Sequence, residues 1–542
     1  MIAGRKILDC VEFFSVCVIT ELIRPKTPAS VGGGFQRAVK SSMDSANIQR
    51  GLNPPLNEVS FKQRGGLGMV LRTHAKGLFL ITLVIFMLAA TFLLNRPDAA
   101  RGAVTVVPET VRVGLTLQAP EVSIRIQGNY RLISGQGEDQ SQLITPGATW
   151  QVWAEGGLLN VYRDGARIGA YPGPVRLERV EQRVGIAYGN GSVTQKLTGE
   201  ELFVMGDDGR VSTLQGIAGG IQVASAGGSG WLQLDGGLNL LELAVGGNAG
   251  AKYRGNLELR LDNGGLTVIN ELPIEEYLYG VVPAEVYASW PEEALKAQAV
   301  AARTYLLSQF GARSSQGFDV LANQMNQVYR GYNCEQPAAT RAVDATAGQV
   351  LTSNKRPIAA FFHSSSGGYT ENSEDVWLDT LSYIRWRPDP FDFNSQHYNW
   401  TVSYSQQELV QVLRNKGYLF NRNVVFSRID DLQEVSKTAS GARVQKLVIK
   451  GLDFEGRPDA VEVSNADRVR IALGLKSALF QLDKQVDAGG GLQSVTIRGS
   501  GNGHGLGMSQ WGAYGMAGQG YNYQDILKYY YTGVGLSPNY GF

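Results

Sequence analysis

The chemistry this sequence offers centres on one carboxylate. Glu285 sits among Val281, Val282, Pro283, Ala284, Val286 and Tyr287. An apolar surround disfavours the charged form, so it raises a carboxyl pKa and keeps the proton near neutral pH. A protonated carboxylic acid suits proton donation to a glycosidic oxygen. A structural glutamate that braces the following helix is the other reading open at this point. The chain has four histidines, His74, His363, His397 and His504. His363 opens the run Ser364-Ser365-Ser366-Gly367-Gly368-Tyr369, and His504 lies in a loop of alternating glycines, 501–507. Glycine lets a backbone come close to a ligand. Loops carrying His363, Ser364, Ser365, Gly367 and Tyr369, and His504, Gly505, Ser509, Gln510 and Trp511, could line a groove that hydrogen-bonds sugar hydroxyls and acetamides. Both histidines bracing their loops internally is the alternative. Neither serine context has the strand–turn–helix setting of a nucleophile elbow, which argues against a Ser-His-Asp hydrolase. Cys334 and the histidines lack short ligand spacing, so no metal site is expected. Trp511 and Tyr369 are the preferred rings for stacking on a pyranose face.

Three segments carry a resemblance. EYLYGVVPAEV followed by EALKAQAVAARTY within 271–305, FFHSSSGGYTENSEDVW at 361–377, and GHGLGMSQWGAYGMAGQGYNYQDILKYYYTGV at 503–534 resemble, in order, the stage II sporulation protein D and amidase enhancer family. The resemblance covers roughly residues 111–540. It implies a peptidoglycan lytic transglycosylase-like domain, with Glu285 at the position of the family's catalytic glutamate. Such an enzyme cleaves between N-acetylmuramic acid and N-acetylglucosamine with one carboxyl group, which protonates the bridging oxygen and then deprotonates the sugar's own 6-hydroxyl, closing a 1,6-anhydro ring. No cofactor is implied. Some relatives carry a zinc-binding cysteine and histidine cluster after the helix; residues 318–335 keep Gln327-Val328-Tyr329 and Gly331 but lack that cluster. The family's methionine after the glutamate is Val286 here. The resemblance leaves a second reading, a non-catalytic wall-binding protein that enhances a cell-wall amidase.

The elements needed to position these residues are legible in part. Leu295, Ala299, Ala302 and Leu306 fall on one helical face, predicting a long helix from Glu293 to Phe310. Ser289 and Glu292 have capping-box spacing and Pro291 suits a first turn. Gln298 and Arg303 need partners if that helix is buried, whereas Glu275 and Glu276 read as a solvated turn. Upstream, alternation at 111–117 and 122–126 and turn signals up to Asp262-Asn263-Gly264 predict a β-rich region, 111–255. Downstream, residues 256–542 read as a mixed α+β core. Its expected elements include a strand at 357–363, an amphipathic helix at 405–416 with a cap, strands at 444–449 and 460–463, short helices at 467–473 and 476–480, and a helix at 523–530. The fold class is therefore α+β, not a βαβ repeat.

Charge divides the chain. Residues 1–76 hold 11 Lys+Arg against 5 Asp+Glu, and the rest 39 against 44. A basic head and mildly acidic body argue against a nucleic-acid partner. Residues 77–94, GLFLITLVIFMLAATFLL, carry no charge over a length sufficient to span a bilayer. Arg64, Arg72, His74 and Lys76 precede them, which predicts a cytoplasmic, mostly disordered tail (1–76), a transmembrane helix (77–94), a linker (95–110) and a body on the outer side. Met69 would also open a short basic leader, and Pro97-Asp98-Ala99-Ala100 loosely resembles a cleavage site. A retained anchor and a removed leader are both open. Cys10 and Cys17 lie in the head and Cys334 alone in the body, so no disulfide is available to the exported part.

Overall fold

The computed structural model describes residues 109–540, apart from 135–141, 145–146, the connections between the short strands of 181–237, 246–249, 378, 417–425 and 489. The expected tail, transmembrane segment and linker up to residue 108 lie outside the described residues. Among the described residues, no helix is long and apolar enough to cross a membrane.

The first part is two sheets sharing a core. Strand β1 (Thr110–Ala119) and the hairpin β2 (Asn256–Asp262) and β3 (Gly265–Pro273) belong to a seven-stranded sheet, completed by Val320–Leu321, Val175–Arg179, Tyr130–Ser134 and Gln142–Ile144. A six-stranded sheet runs Ala251–Tyr253, Leu240–Val245, Glu121–Gln127, Thr149–Glu155, Leu158–Arg163, Ala166–Tyr171. Alternation is as expected: Val122, Ile124 and Ile126 point inward while Glu121, Arg125 and Gln127 are exposed. They join Trp150, Val161, Leu177, Leu259 and Val268 in one apolar cluster drawing on both sheets. Each such side chain contributes roughly 2 kcal/mol by leaving water. The β2–β3 turn is the Asn263-Gly264 pair, both at positive φ, as a two-residue hairpin loop matched to sheet twist requires. This hairpin lies between the strands of the β-rich region and hands the chain to the helices.

Helix α1 (Ile274–Glu285) follows directly. Its sequence, with Gly280 and Pro283, gave no helical expectation. Helix α2 (Glu292–Gln309) starts one residue earlier than predicted. The expected capping box does not form. Pro291 is the N-cap, and its carbonyl accepts from the Ala294 and Leu295 amides at 2.9 and 3.2 Å. Helix α2 is buried on two faces: Leu295, Ala299, Ala302 and Leu306 pack with α1, and Ala297, Val300, Ala301 and Tyr305 pack with the C-terminal segments. Its small residues allow both neighbours close. Arg303 is fully buried and, as expected, tied: Nε and Nη2 donate to the two oxygens of Glu275 at 2.9 and 2.5 Å. This corrects the solvated-turn expectation for Glu275 and Glu276, since Glu275 also accepts from the Gly348 amide and the Tyr540 hydroxyl, and Glu276 pairs with Arg179. Gln298, by contrast, is buried with neither amide atom partnered.

Beyond α2 come α3 (Pro337–Ala345), a two-residue strand β4 (Phe362–His363) and α4 (Ser373–Val376). The expected strand at 357–363 is thus broken, with regular pairing only at its ends. A module follows in which α5 (Gln406–Asn415), β5 (Val444–Leu452), α6 (Ala466–Ala472) and two three-stranded sheets share one core, including Leu409, Leu432, Ile449, Val469, Phe480 and Ile497. Ser405 and Glu408 form the capping box of α5. The helix expected at 476–480 is absent; those residues lead irregularly into the strand Phe480–Val486. Strand β6 (Met508–Ser509), α7 (Gln510–Gly518) and α8 (Tyr523–Tyr530) end the core. Strand β6 lies parallel to β4, with His363 opposite Ser509.

Candidate active site

Glu285 is the last residue of α1, half-buried, and Val286 after it is extended with its side chain enclosed. Its Oε1 accepts from the Val328 amide at 2.9 Å. The loop carrying Val328 is pinned on both sides. Tyr277 donates to Gln327 Oε1 at 3.2 Å, Gln327 Nε2 donates to the Ala302 carbonyl at 3.1 Å, and Tyr329 donates to Asn270 at 3.0 Å. Gly280 lets this loop lie against α1; a Cβ there would stand 2.7 Å from the Tyr329 ring. Burial therefore raises the Glu285 pKa above the ordinary carboxyl value, while the Val328 N–H, the Gln510 amide and the positive charge of Arg330 oppose that rise. Arg330 is itself exposed and makes no ion pair among the described residues. The Gln510 amide acts on the carboxyl without regular hydrogen-bond geometry, and its Nε2 is enclosed and otherwise unpartnered.

Gln510 follows directly on β6. The β4–β6 pairing and the Trp511 amide, which donates to the Ser364 carbonyl at 3.1 Å, lock the two motif loops together. Asp392 joins them further. It accepts from the Ser365 hydroxyl (2.7 Å), the Gly367 amide (2.8 Å) and the Ser509 hydroxyl (2.9 Å). Ser509 also caps α7 by accepting from the Gly512 amide. Ser365 and Ser509 are fully enclosed, so they offer a ligand the position of their loops rather than their hydroxyls. Asp389, three residues before Asp392, accepts from Tyr530 at 3.0 Å. Burial and the neighbouring Asp392 push it up to about 7.

His363 and His504 meet with ring centroids 5.4 Å apart. Leu506 fixes both tautomers. Its carbonyl must accept from His363 Nδ1 (3.1 Å), and its amide donates to His504 Nδ1 (3.0 Å), so His504 carries its proton on Nε2, facing the Phe362 carbonyl. Burial, its neighbour His504 and Arg443 hold His363 well below its usual range, and burial with Arg470 and Arg443 takes His504 down to about 4 against the pull of Asp467. Both rings are neutral at pH 7 and neither is a proton donor in cationic form. Arg443, the residue before β5 and fully buried, donates to the Ser366 carbonyl, the Tyr369 carbonyl and Glu371 at 2.8, 2.8 and 3.1 Å. Gly505 covers its guanidinium, where a Cβ would stand 2.6 Å from Cζ. Tyr369 is 40% exposed.

The structure thus brings Glu285, Gln510 and Trp511 together, pairs His363 with His504, and ties Ser365, Gly367 and Ser509 through Asp392. Asp392 and Arg443 escaped the sequence reading because their partners lie far away in the chain. Tyr287 and Trp290 escaped it too, although their closeness to Glu285 was a signal. Trp290 meets Trp511 at 5.0 Å and Tyr514 at 5.2 Å, and Tyr287 meets Trp290 at 5.8 Å.

Residues 262–353 match the family described as Stage II sporulation protein, and residues 383–507 match a Domain of unknown function (DUF8618). Over 284 residues the chain is 34% identical to Stage II sporulation protein D of Bacillus subtilis (strain 168), spanning 50% of this chain and 76% of that protein. It is 36% identical over 284 residues to the protein of the same name from Bacillus amyloliquefaciens, spanning 50% and 75%. It is also 32% identical over 300 residues to the amidase enhancer of Bacillus subtilis (strain 168), spanning 48% of this chain and 40% of the enhancer.

Proposed function

The chain belongs to the stage II sporulation protein D family, and from that premise we propose that it is a peptidoglycan lytic transglycosylase with Glu285 as its acid and base. The observation that carries this reading is the half-buried carboxyl at the end of α1, whose pKa burial raises and which no lysine or arginine pairs directly. Protonated, Glu285 donates its proton to the oxygen between N-acetylmuramic acid and N-acetylglucosamine. The C1–O bond breaks, the leaving sugar departs as an alcohol, and positive charge develops at C1. The Glu285 carboxylate then takes the proton from the 6-hydroxyl of the same muramic acid, and O6 bonds to C1. The acid is regenerated, no water is consumed and no second carboxylate is needed, unlike ordinary glycoside hydrolysis. The Val328 N–H and the Gln510 amide keep the carboxylate from becoming too poor a leaving base for its proton, because both favour the charged form that exists between the two steps. In this reading residues 77–94 anchor the chain in the membrane and the body works on glycan strands on the outer side.

The second reading is favoured by the similarity to the amidase enhancer: a wall-binding protein that assists a separate amidase without cleaving glycan. Digestion of purified glycan strands by wild type and Glu285→Gln, read by mass spectrometry, separates the two. The first reading expects 1,6-anhydro ends from wild type and none from the variant. Strand binding or amidase stimulation without any such ends establishes the second, and hydrolytic ends overturn the one-carboxyl mechanism.

A further inference from the structure

Beside Glu285 stand four aromatic rings from two separate stretches of chain. Tyr287 and Trp290 come from the α1–α2 connection, and Trp511 and Tyr514 from α7. Beyond the contacts already described, Trp511 meets Tyr514 at 5.4 Å and Tyr287 at 6.5 Å, so the four form one continuous group. Its place relative to the carboxyl is fixed at two points. Tyr287 is two residues beyond Glu285 and exposed, while the Val286 side chain between them is enclosed. Trp511 follows Gln510, whose amide acts on Glu285.

The group is not a closed core. Tyr287 is 57% exposed, and Trp290, Trp511 and Tyr514 are half-buried. Among the described residues, no hydrogen bond is made by the Tyr287 or Tyr514 hydroxyl or by the Trp290 or Trp511 indole N–H, and none of these atoms is an enclosed, unsatisfied one. Buried tyrosine and tryptophan tips usually find partners, and rings that keep theirs open present an apolar face with a polar handle. A pyranose is complementary: its axial C–H groups give it an apolar face, and its rim carries hydroxyls and an acetamide.

We propose that Tyr287, Trp290, Trp511 and Tyr514 form the pyranose-stacking wall of the site, holding one N-acetylhexosamine residue of a β-linked strand against Glu285. This rests on the glycan-cleaving reading and adds where the sugar lies. Trp290 also packs on the α1–α2 core, so Tyr287 and Trp511 are the residues that test the wall.

The test uses the full chain carrying Glu285→Gln, which binds without cleaving, titrated calorimetrically with chitotetraose. Adding Tyr287→Ala or Trp511→Ala is expected to weaken binding by about tenfold each, and Tyr287→Phe to retain it. Affinity within twofold of the parent in folded Tyr287→Ala overturns the wall, as does no measurable binding by the parent; should Trp511→Ala fail to fold, exposed Tyr287 still decides. The two claims fail separately. Binding lost in the alanine variants, with no anhydro ends from wild type, leaves the wall standing and removes the chemistry. Anhydro ends with a KM unmoved by Tyr287→Ala leave the chemistry and remove the wall.

Discussion

The two halves of the candidate site are built in opposite ways. Around Glu285 the polar groups are sparsely partnered: one backbone N–H on the carboxyl, an enclosed amide beside it in irregular geometry, an exposed Arg330 and four open aromatic tips. Around the loops at 363–369 and 503–509 Ser365, Ser509 and several backbone groups are enclosed and tied, by Asp392 on one side and Arg443 on the other, while His363 Nε2 is enclosed without a partner. A group that must exchange a proton with substrate cannot be fully committed to the protein, whereas loops that define a surface must be. The motif histidines and serines therefore read as the frame, and the carboxyl with its rings as the working face.

Variants can break or sharpen that contrast. The largest effect expected is Glu285→Gln, which should lower strand cleavage by about 10²–10⁴-fold without lowering Tm, since glutamine can still accept from Val328. A fall in Tm of several degrees would move Glu285 into the frame. The wild-type rate should also fall as pH rises through the elevated pKa of Glu285, because the first step needs the protonated form.

On the framing side, Arg443→Met should cost about 3–5 kcal/mol in denaturant unfolding, because it leaves Glu371 buried without its partner. Adding Glu371→Gln should recover part of that loss; no recovery would mean the pair is not the cause. Gly505→Ala should cost about 1–3 kcal/mol, as the residue sits at φ +84° with its missing Cβ directed at the Arg443 guanidinium.

Asp389→Asn tests the interior by pH. The folded state holds this proton up to about 7, while the unfolded chain releases it near the ordinary value of 3.8. Native protein thus binds the extra proton between those values, and stability falls as pH rises through them, by at most about 1.4 kcal/mol per pH unit. The asparagine variant should flatten that slope in thermal melts between pH 4 and 8. The smallest effect, about 1 kcal/mol, is expected for Ser405→Ala at the α5 cap, remote from both halves, and it should leave cleavage unchanged.

Legibility followed the range of the interactions. Local chemistry was readable: the Asn263-Gly264 hairpin, the cap at Ser405, and helix α8 at its predicted bounds. Helix α1 was not, because Gly280 and Pro283 are poor helix residues that serve tertiary ends, close approach of Tyr329 and termination near Glu285. Helix α7 was missed for the same reason. Gly512 and Gly515 are poor helix residues, yet they sit where Asp389 and Phe391 press on the helix. The Ser289 spacing misled because Pro291 already begins the helix. Glu275 looked solvated because its partner, Arg303, lies 28 residues on. Within the site, the candidate acid and the two loops were visible as residues, but the groups binding the loops together were not, since Asp392 and Arg443 carry no local pattern.

The short parallel pairing of β4 with β6 carries a kinetic consequence. It joins residues 362–363 to 508–509, and the buried guanidinium that supports the first of these segments comes from the module threaded between them. Contacts of such separation form late, because loop closure must precede any gain from them. The candidate site should thus be the last part of the nascent molecule to mature, after the intervening module has closed on itself. A freshly synthesised chain would pass through a stage with native sheets and an unfinished site, which on the glycan-cleaving reading would spare the cell's wall until folding is complete.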